Sequence, residues 1–311
     1  MRKVLAFIII VVVGFGIQLQ TAAAQPLVDV TWLKARLGQA ETVVLDLRGS
    51  RQQYLQGHIP GAVFTDYAKD GWREKNAAGI EGMLPPPEKV GSLIGGLGID
   101  NATHVVLVAE GRSAADMGTA TRIYWTFKVM GHDRVSILDG GYWAWTADVD
   151  QAKKPVNRVE TTDVRPTAKA FKVTLRKEML VDKADVQKAM AAKTPLIDNR
   201  PTDFYMGLMR SPAAKSAGTL PGAQSIPESW LTVNNGGYFR SKAQLAAIYK
   251  TANVSTTGEQ ISFCNTGHWA SLGWFVSSEI LGNTAAKMYD GSMAEWTADP
   301  SLPVEQKIKA E

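Results

Sequence analysis

The amino-acid sequence predicts an α/β protein made of one fold used twice, each copy a mostly parallel sheet flanked by helices. Three observations carry that expectation. The chain has 311 residues, 45% hydrophobic and 21% charged, enough to bury two cores of ordinary domain size. Short apolar runs alternate with segments of helical period, the pattern of parallel strands joined by helical crossovers. The two halves also repeat each other at an offset of about 150 residues. Val43-Val44-Leu45-Asp46-Leu47-Arg48 is followed by Gly57-His58-Ile59-Pro60-Gly61-Ala62, and Leu196-Ile197-Asp198-Asn199-Arg200 by Gly218-Thr219-Leu220-Pro221-Gly222-Ala223, across a longer loop. Leu138-Asp139-Gly140-Gly141 with Trp145 answers Tyr289-Asp290-Gly291-Ser292 with Trp296.

Taken in order, Arg2 and Lys3 precede an apolar run from Val4 to Ile17 that ends in Ala22-Ala23-Ala24. That is the pattern of a cleaved export signal over 1–24, since the run is about 14 residues where a membrane span needs about 20. The mature protein is therefore expected to be soluble and periplasmic, without a membrane anchor. Residues 25–147 form the expected first domain, with strands over 43–47, 105–108 and 135–138. Between them a helix over 117–130 places Ile123, Phe127 and Met130 on one face and stops at Gly131. Residues 148–167 are polar, carry Pro155 and Pro166, and read as a linker. The second domain, 168–311, repeats the pattern with strands over 196–198, 261–263 and 285–288 and a helix from about Trp269 to Leu281 ending at Gly282. A two-domain chain that covers its own interface is expected to be a monomer.

With 34 basic and 30 acidic residues, a formal charge of +4, the chain lacks the footprint of a nucleic-acid binder. One cysteine, Cys264, excludes an internal disulfide and a multi-cysteine metal site. His58, His104, His132 and His268 show no ligand spacing, and no G-x-S-x-G elbow is present. Cys264 follows a predicted strand and opens the turn Cys264-Asn265-Thr266-Gly267-His268-Trp269 before a helix. At the carboxyl edge of an open parallel sheet, the first amides of the following helix face the turn and favour an anion. A thiol held there is expected to react as thiolate. A cysteine-based phosphatase would need an arginine six positions after the cysteine to bind phosphate bidentately, and position 270 is alanine.

On these residues the chain resembles the tandem-domain rhodanese family of sulfurtransferases. The resemblance rests on Asp46-Leu47-Arg48 and Asp198-Asn199-Arg200, on His58-Ile59-Pro60-Gly61-Ala62 and Leu220-Pro221-Gly222-Ala223, on Cys264-x-x-Gly267, and on the Asp-Gly-Gly and Asp-Gly-Ser turns followed by tryptophan. It implies a silent first domain, which contains no cysteine, and a second in which Cys264 cycles between thiolate and persulfide. A donor such as thiosulfate would supply the sulfur and a thiophilic acceptor, cyanide or a thiol, would remove it, with no cofactor or metal. Asn265, Thr266, Gly267, His268 and Trp269 would cradle the persulfide. Asp198 and Arg200 would support the loop, and Arg210 or Lys215 is a candidate for substrate binding.

The loop departs from both family patterns. It carries no arginine or lysine, so His268 is its only candidate cation, and it lacks Gly-Ser-Gly-Val-Thr after the cysteine; Phe204 stands where many members have a second arginine. The sequence therefore leaves the donor open. It also leaves a rival: a non-enzymatic periplasmic carrier of sulfur, selenium or tellurium, or a docking protein, serving a periplasmic acceptor protein.

Overall fold

The computed structural model describes residues 24–308. The expected export signal lies outside the described residues except for Ala24, and no helix among the described residues is long and apolar enough to cross a membrane. The first half contains β1 (Leu27–Val28), α1 (Val30–Lys34), β2 (Thr42–Asp46), α2 (Arg51–Gln56), β3 (Val63–Phe64), α3 (Pro87–Gly96), β4 (His104–Val108), α4 (Ala114–Val129), β5 (Val135–Leu138) and α5 (Gly141–Thr146). The second contains β6 (Leu180–Val181), α6 (Lys183–Ala191), β7 (Leu196–Asp198), α7 (Thr202–Met206), β8 (Gln224–Ser225), α8 (Lys242–Thr251), β9 (Gln260–Phe263), α9 (His268–Phe275), β10 (Ala286–Tyr289) and α10 (Ser292–Trp296).

Each half is a five-stranded sheet, in the orders β1-β5-β4-β2-β3 and β6-β10-β9-β7-β8. Every pairing is parallel. Central strands covered on both faces must be apolar throughout rather than alternating, and all of β5 and all but the first residue of β4 are buried. The four outer strands β1, β3, β6 and β8 have two residues each. That is too short for a period-2 signal, and sequence reading does not see them.

The α4 helix begins at a capping box, Ser113 with Asp116, which accounts for its start three residues before the predicted one. The predicted single apolar face is too narrow: Thr121, Arg122, Tyr124, Trp125 and Thr126 are buried along with Ile123 and Phe127. The reason is that α4 is sandwiched between its own sheet and α9 of the other half. Thr121 and Ser271 meet there with hydroxyls 2.8 Å apart, and Tyr124 donates to Glu279 at 2.8 Å. The helix predicted to reach Leu281 is α-helical to Phe275 and then π-helical over Val276–Ile280.

Residues 169–176 run along the first half. Lys169, Thr174 and Arg176 donate backbone hydrogen bonds to Gly95, Met130 and Val129 of the first half, and Phe171, Val173 and Leu175 pack on its core. Alternating apolar residues there cover α3 and α4 instead of starting the second sheet. The predicted linker also lies against the first half, with Trp145 donating to the Arg158 carbonyl at 3.0 Å and Asn157 to that of Trp145 at 2.7 Å.

Candidate active site

The turn opened by Cys264 runs from the end of β9 to the start of α9, at the carboxyl edge of the second sheet. The cysteine is 1% exposed. Gly267 precedes α9 at φ +75°, and a Cβ there would lie 2.4 Å from the Arg122 guanidinium and 2.9 Å from the Asp290 carbonyl oxygen. Only glycine fits both the angle and the space.

Ser292, the first residue of α10, organises the loop. Its buried hydroxyl accepts the amides of Cys264 at 3.0 Å and Gly267 at 3.2 Å and donates to the Tyr289 carbonyl at 2.9 Å. The carbonyls of Cys264 and Asn265 accept from Met293 at 3.0 Å and Ala294 at 2.9 Å. One of the five amides expected to cradle a sulfur anion, that of Gly267, is thus engaged by Ser292. Those of Asn265, Thr266, His268 and Trp269 have no backbone or side-chain acceptor among the described residues.

The first half holds the loop from the other side. Arg73 donates through Nη2 to the Thr266 carbonyl and through Nε to Gly82 O at 3.0 Å. Arg122, fully buried, pairs with Asp290 at 2.6 Å and donates to the Gly267 carbonyl at 3.3 Å. The second oxygen of Asp290 accepts the Leu84 amide at 2.7 Å. A trans peptide points its C=O and N–H in opposite directions. Anchoring the Thr266 carbonyl on Arg73 therefore directs the Gly267 amide at Ser292, and anchoring the Gly267 carbonyl on Arg122 turns the His268 amide the other way.

His268 is not the loop's cation. Its Nε2 lies 2.9 Å from the Ala115 carbonyl, which can only accept, so Nε2 carries the proton and Nδ1 accepts from the Tyr67 hydroxyl at 3.1 Å. Burial, reinforced by Arg73 and Arg122, lowers its pKa to about 4. The ring is a neutral tether between the halves, admitted by Gly118, where a Cβ would stand 2.6 Å from Nε2. Burial also raises the Tyr67 hydroxyl above its ordinary value; Arg73 and Arg122 oppose this and the neighbouring Cys264 adds to it.

Asp198 and Arg200 are buried and bonded to each other, with Arg200 Nε at 2.9 Å and Nη2 at 2.6 Å from the carboxylate. Arg200 also reaches the Gly218 carbonyl at 2.8 Å and Asn265 Oδ1 at 3.4 Å, while Thr219 donates to Asp198 at 2.7 Å. Arg48 and Asp46 repeat this pairing in the first half, where Arg48 reaches Gly57 O at 2.6 Å. The motif is thus a brace between strand end and loop. Arg210 is exposed and donates to Ala214 O within its own loop at 2.6 Å. Among the described residues neither Arg210 nor Lys215 hydrogen-bonds to residues 264–269. Trp269 is half-buried, its ring 6.1 Å from that of Phe204.

The first half shows what the site is without these groups. Ala109 follows β4 as Cys264 follows β9. Asp139, the counterpart of Asp290, accepts the Phe239 amide at 3.0 Å but forms no ion pair among the described residues, and burial pushes it up to about 6. Asp116 caps α4, and Arg112 pairs with Glu110 at 3.0 Å. Sequence reading missed Tyr67, Arg73 and Arg122 because they come from the other domain. Ser292 was visible only as a turn residue.

Two copies of one parallel-sheet domain, one with a cysteine at its sheet edge and the other with alanine, define a duplicated α/β protein with one equipped site. The Rhodanese-like domain family matches residues 29–148 and again 182–299, and the chain belongs to this family. It is similar to the thiosulfate sulfurtransferase of Bos taurus, 32% identical over 255 residues that cover 80% of each chain. It is also similar to SseA from Escherichia coli, described with the rhodanese fold and mechanism of 3-mercaptopyruvate sulfotransferases: 26% identity, TM-score 0.72, 86% of this chain and 99% of that one. The anaerobic ergothioneine biosynthesis enzyme from Chlorobium limicola shares the fold, with a TM-score of 0.74 at 21% identity over 92% of this chain and 71% of that one.

Proposed function

We infer that the protein is a sulfurtransferase that moves a sulfane sulfur from a small donor to a thiophilic acceptor through a persulfide on Cys264. The observation that carries this reading is the single cysteine at the head of a strand-to-helix turn in which four of the next five amides have no acceptor among the described residues. The Cys264 thiolate attacks the outer sulfur of a donor such as thiosulfate. A new S–S bond forms, the donor's S–S bond breaks, and sulfite leaves with the electron pair. Cyanide or a thiol then attacks the outer persulfide sulfur and regenerates the thiolate. The amides of Asn265, Thr266, His268 and Trp269 stabilise the anionic persulfide, and losing one such donor typically costs about 2.7–4 kcal/mol at the transition state. No cofactor takes part. Relatives named for thiosulfate and 3-mercaptopyruvate support the reaction class.

In this reading residues 1–24 are an export signal, the mature protein works in the periplasm as a monomer, and the first domain serves as the scaffold that completes the loop. Intact-mass spectrometry after incubation with thiosulfate, and separately with 3-mercaptopyruvate, tests the chemistry. A gain of about 32 Da that disappears with cyanide and is absent in Cys264→Ser supports a persulfide enzyme and ranks the donors. No adduct with either donor refutes it and favours the carrier or docking reading.

A further inference from the structure

We propose that Arg73, contributed by the silent domain, binds the anionic head of the sulfur donor and so sets donor specificity. This rests on the persulfide reading above. A thiolate and an anionic donor repel unless a cation lies between or beside them, and the nucleophile loop provides none. Residues 264–271 contain no arginine or lysine, and both ring nitrogens of His268 are already engaged, by the Ala115 carbonyl and the Tyr67 hydroxyl. The buried cations close by are already neutralised, Arg122 by Asp290 and Arg200 by Asp198.

Arg73 differs from both. Among the described residues it has no carboxylate partner, and its contacts are the carbonyls of Gly82 and Thr266, which leave its charge uncompensated and Nη1 without an acceptor. The guanidinium lies 5.6 Å from the Tyr67 ring, which fixes its position. It lines a cleft of about 380 Å³ whose wall includes Thr266, two residues and therefore at most about 7 Å of chain from Cys264. The two acids of that cleft are each paired, Glu74 with Lys89 at 2.9 Å and Glu81 with Lys75 at 2.6 Å. The cleft thus presents Arg73 as its unpaired charge, beside the loop, in a volume suited to a small molecule. The ligand class that fits is a small sulfane-sulfur donor with a sulfonate or carboxylate head.

The test compares full-length wild type, Arg73→Gln and Arg73→Lys by rapid-quench intact mass, following persulfide formation against donor concentration. The donors are thiosulfate, a dianion, and cysteamine persulfide, a cation that transfers its outer sulfur by the same attack and releases cysteamine thiolate. Arg73→Gln is expected to raise the half-saturating thiosulfate concentration about 10- to 100-fold, the scale of one lost contact to a charged group, with little change in the limiting rate. Its response to cysteamine persulfide should be unchanged or improved, and Arg73→Lys should recover part of the thiosulfate affinity. Equal losses with both donors would mean that Arg73 only positions the Thr266 carbonyl, and unchanged thiosulfate saturation would mean no contact; either overturns the proposal. A wild-type protein that accepts sulfur from cysteamine persulfide and not from thiosulfate overturns it while the persulfide reading stands. No adduct from either donor overturns both.

Discussion

Replacing Ser292 by alanine tests whether the nucleophile loop is held by one hydroxyl. That hydroxyl accepts two amides, Cys264 and Gly267, in a residue with no exposed surface. Alanine leaves both donors buried without an acceptor, at about 1–3 kcal/mol each, so the loss should be roughly 2–6 kcal/mol. The backbone adds a control. Ser292 sits at φ +49°, a left-handed conformation that costs a side-chain-bearing residue about 1–2 kcal/mol. Ser292→Gly removes the same hydroxyl but relieves that strain, and should be about 1 kcal/mol more stable than Ser292→Ala. Equilibrium urea unfolding measures both differences, and single-turnover persulfide formation measures the loop. With the Cys264 and Gly267 amides released, the loop loses the acceptor that joins its two ends, and both variants should form persulfide at least tenfold more slowly. If Ser292→Ala loses less than about 1 kcal/mol and keeps its persulfide rate, the hydroxyl does not organise the loop.

Two further perturbations address the interface between the halves. Asp290→Asn leaves the buried Arg122 guanidinium unpaired and should destabilise the protein by about 3–5 kcal/mol; adding Arg122→Met should recover much of that loss in urea unfolding, and strictly additive losses would show that the pair does not interact. His268 has a folded pKa of about 4 against an unfolded value of about 6.5. Between these values the unfolded chain takes up a proton that the folded one refuses, so stability should fall as pH drops from 6.5 towards 4, by up to about 3 kcal/mol. His268→Gln should reduce the slope of that part of the pH–stability curve, leaving the share of His104, which burial also lowers to about 4, and an unchanged slope would place the titrating group elsewhere.

The duplicated α/β architecture, its central strands and the strand-to-helix position of Cys264 were all legible in the chain. Each is written in local pattern: β-branched apolar runs, helical spacing, a glycine at the one turn position that needs a left-handed angle, and a repeat long enough to compare with itself. Asp198 and Arg200 were picked out by the family resemblance and not by spacing, and in the structure they bond to each other. The two-residue outer strands were not legible, since their partners and not their own residues define them, and neither was the passage of residues 169–176 along the first half.

The surroundings of the sulfur were decided by tertiary structure alone. Packing α4 against α9 brings Tyr67, Arg73 and Arg122 onto a loop some 140 to 200 positions away, and no spacing rule links residues that meet only when two domains dock. The same packing half-buries His268 and bonds both its nitrogens, which turns the loop's one apparent cation into a neutral tether. Charge in this site is therefore a property of the interface. From the chain one reads which atom is nucleophilic; which groups face it depends on burial and on the other half of the molecule.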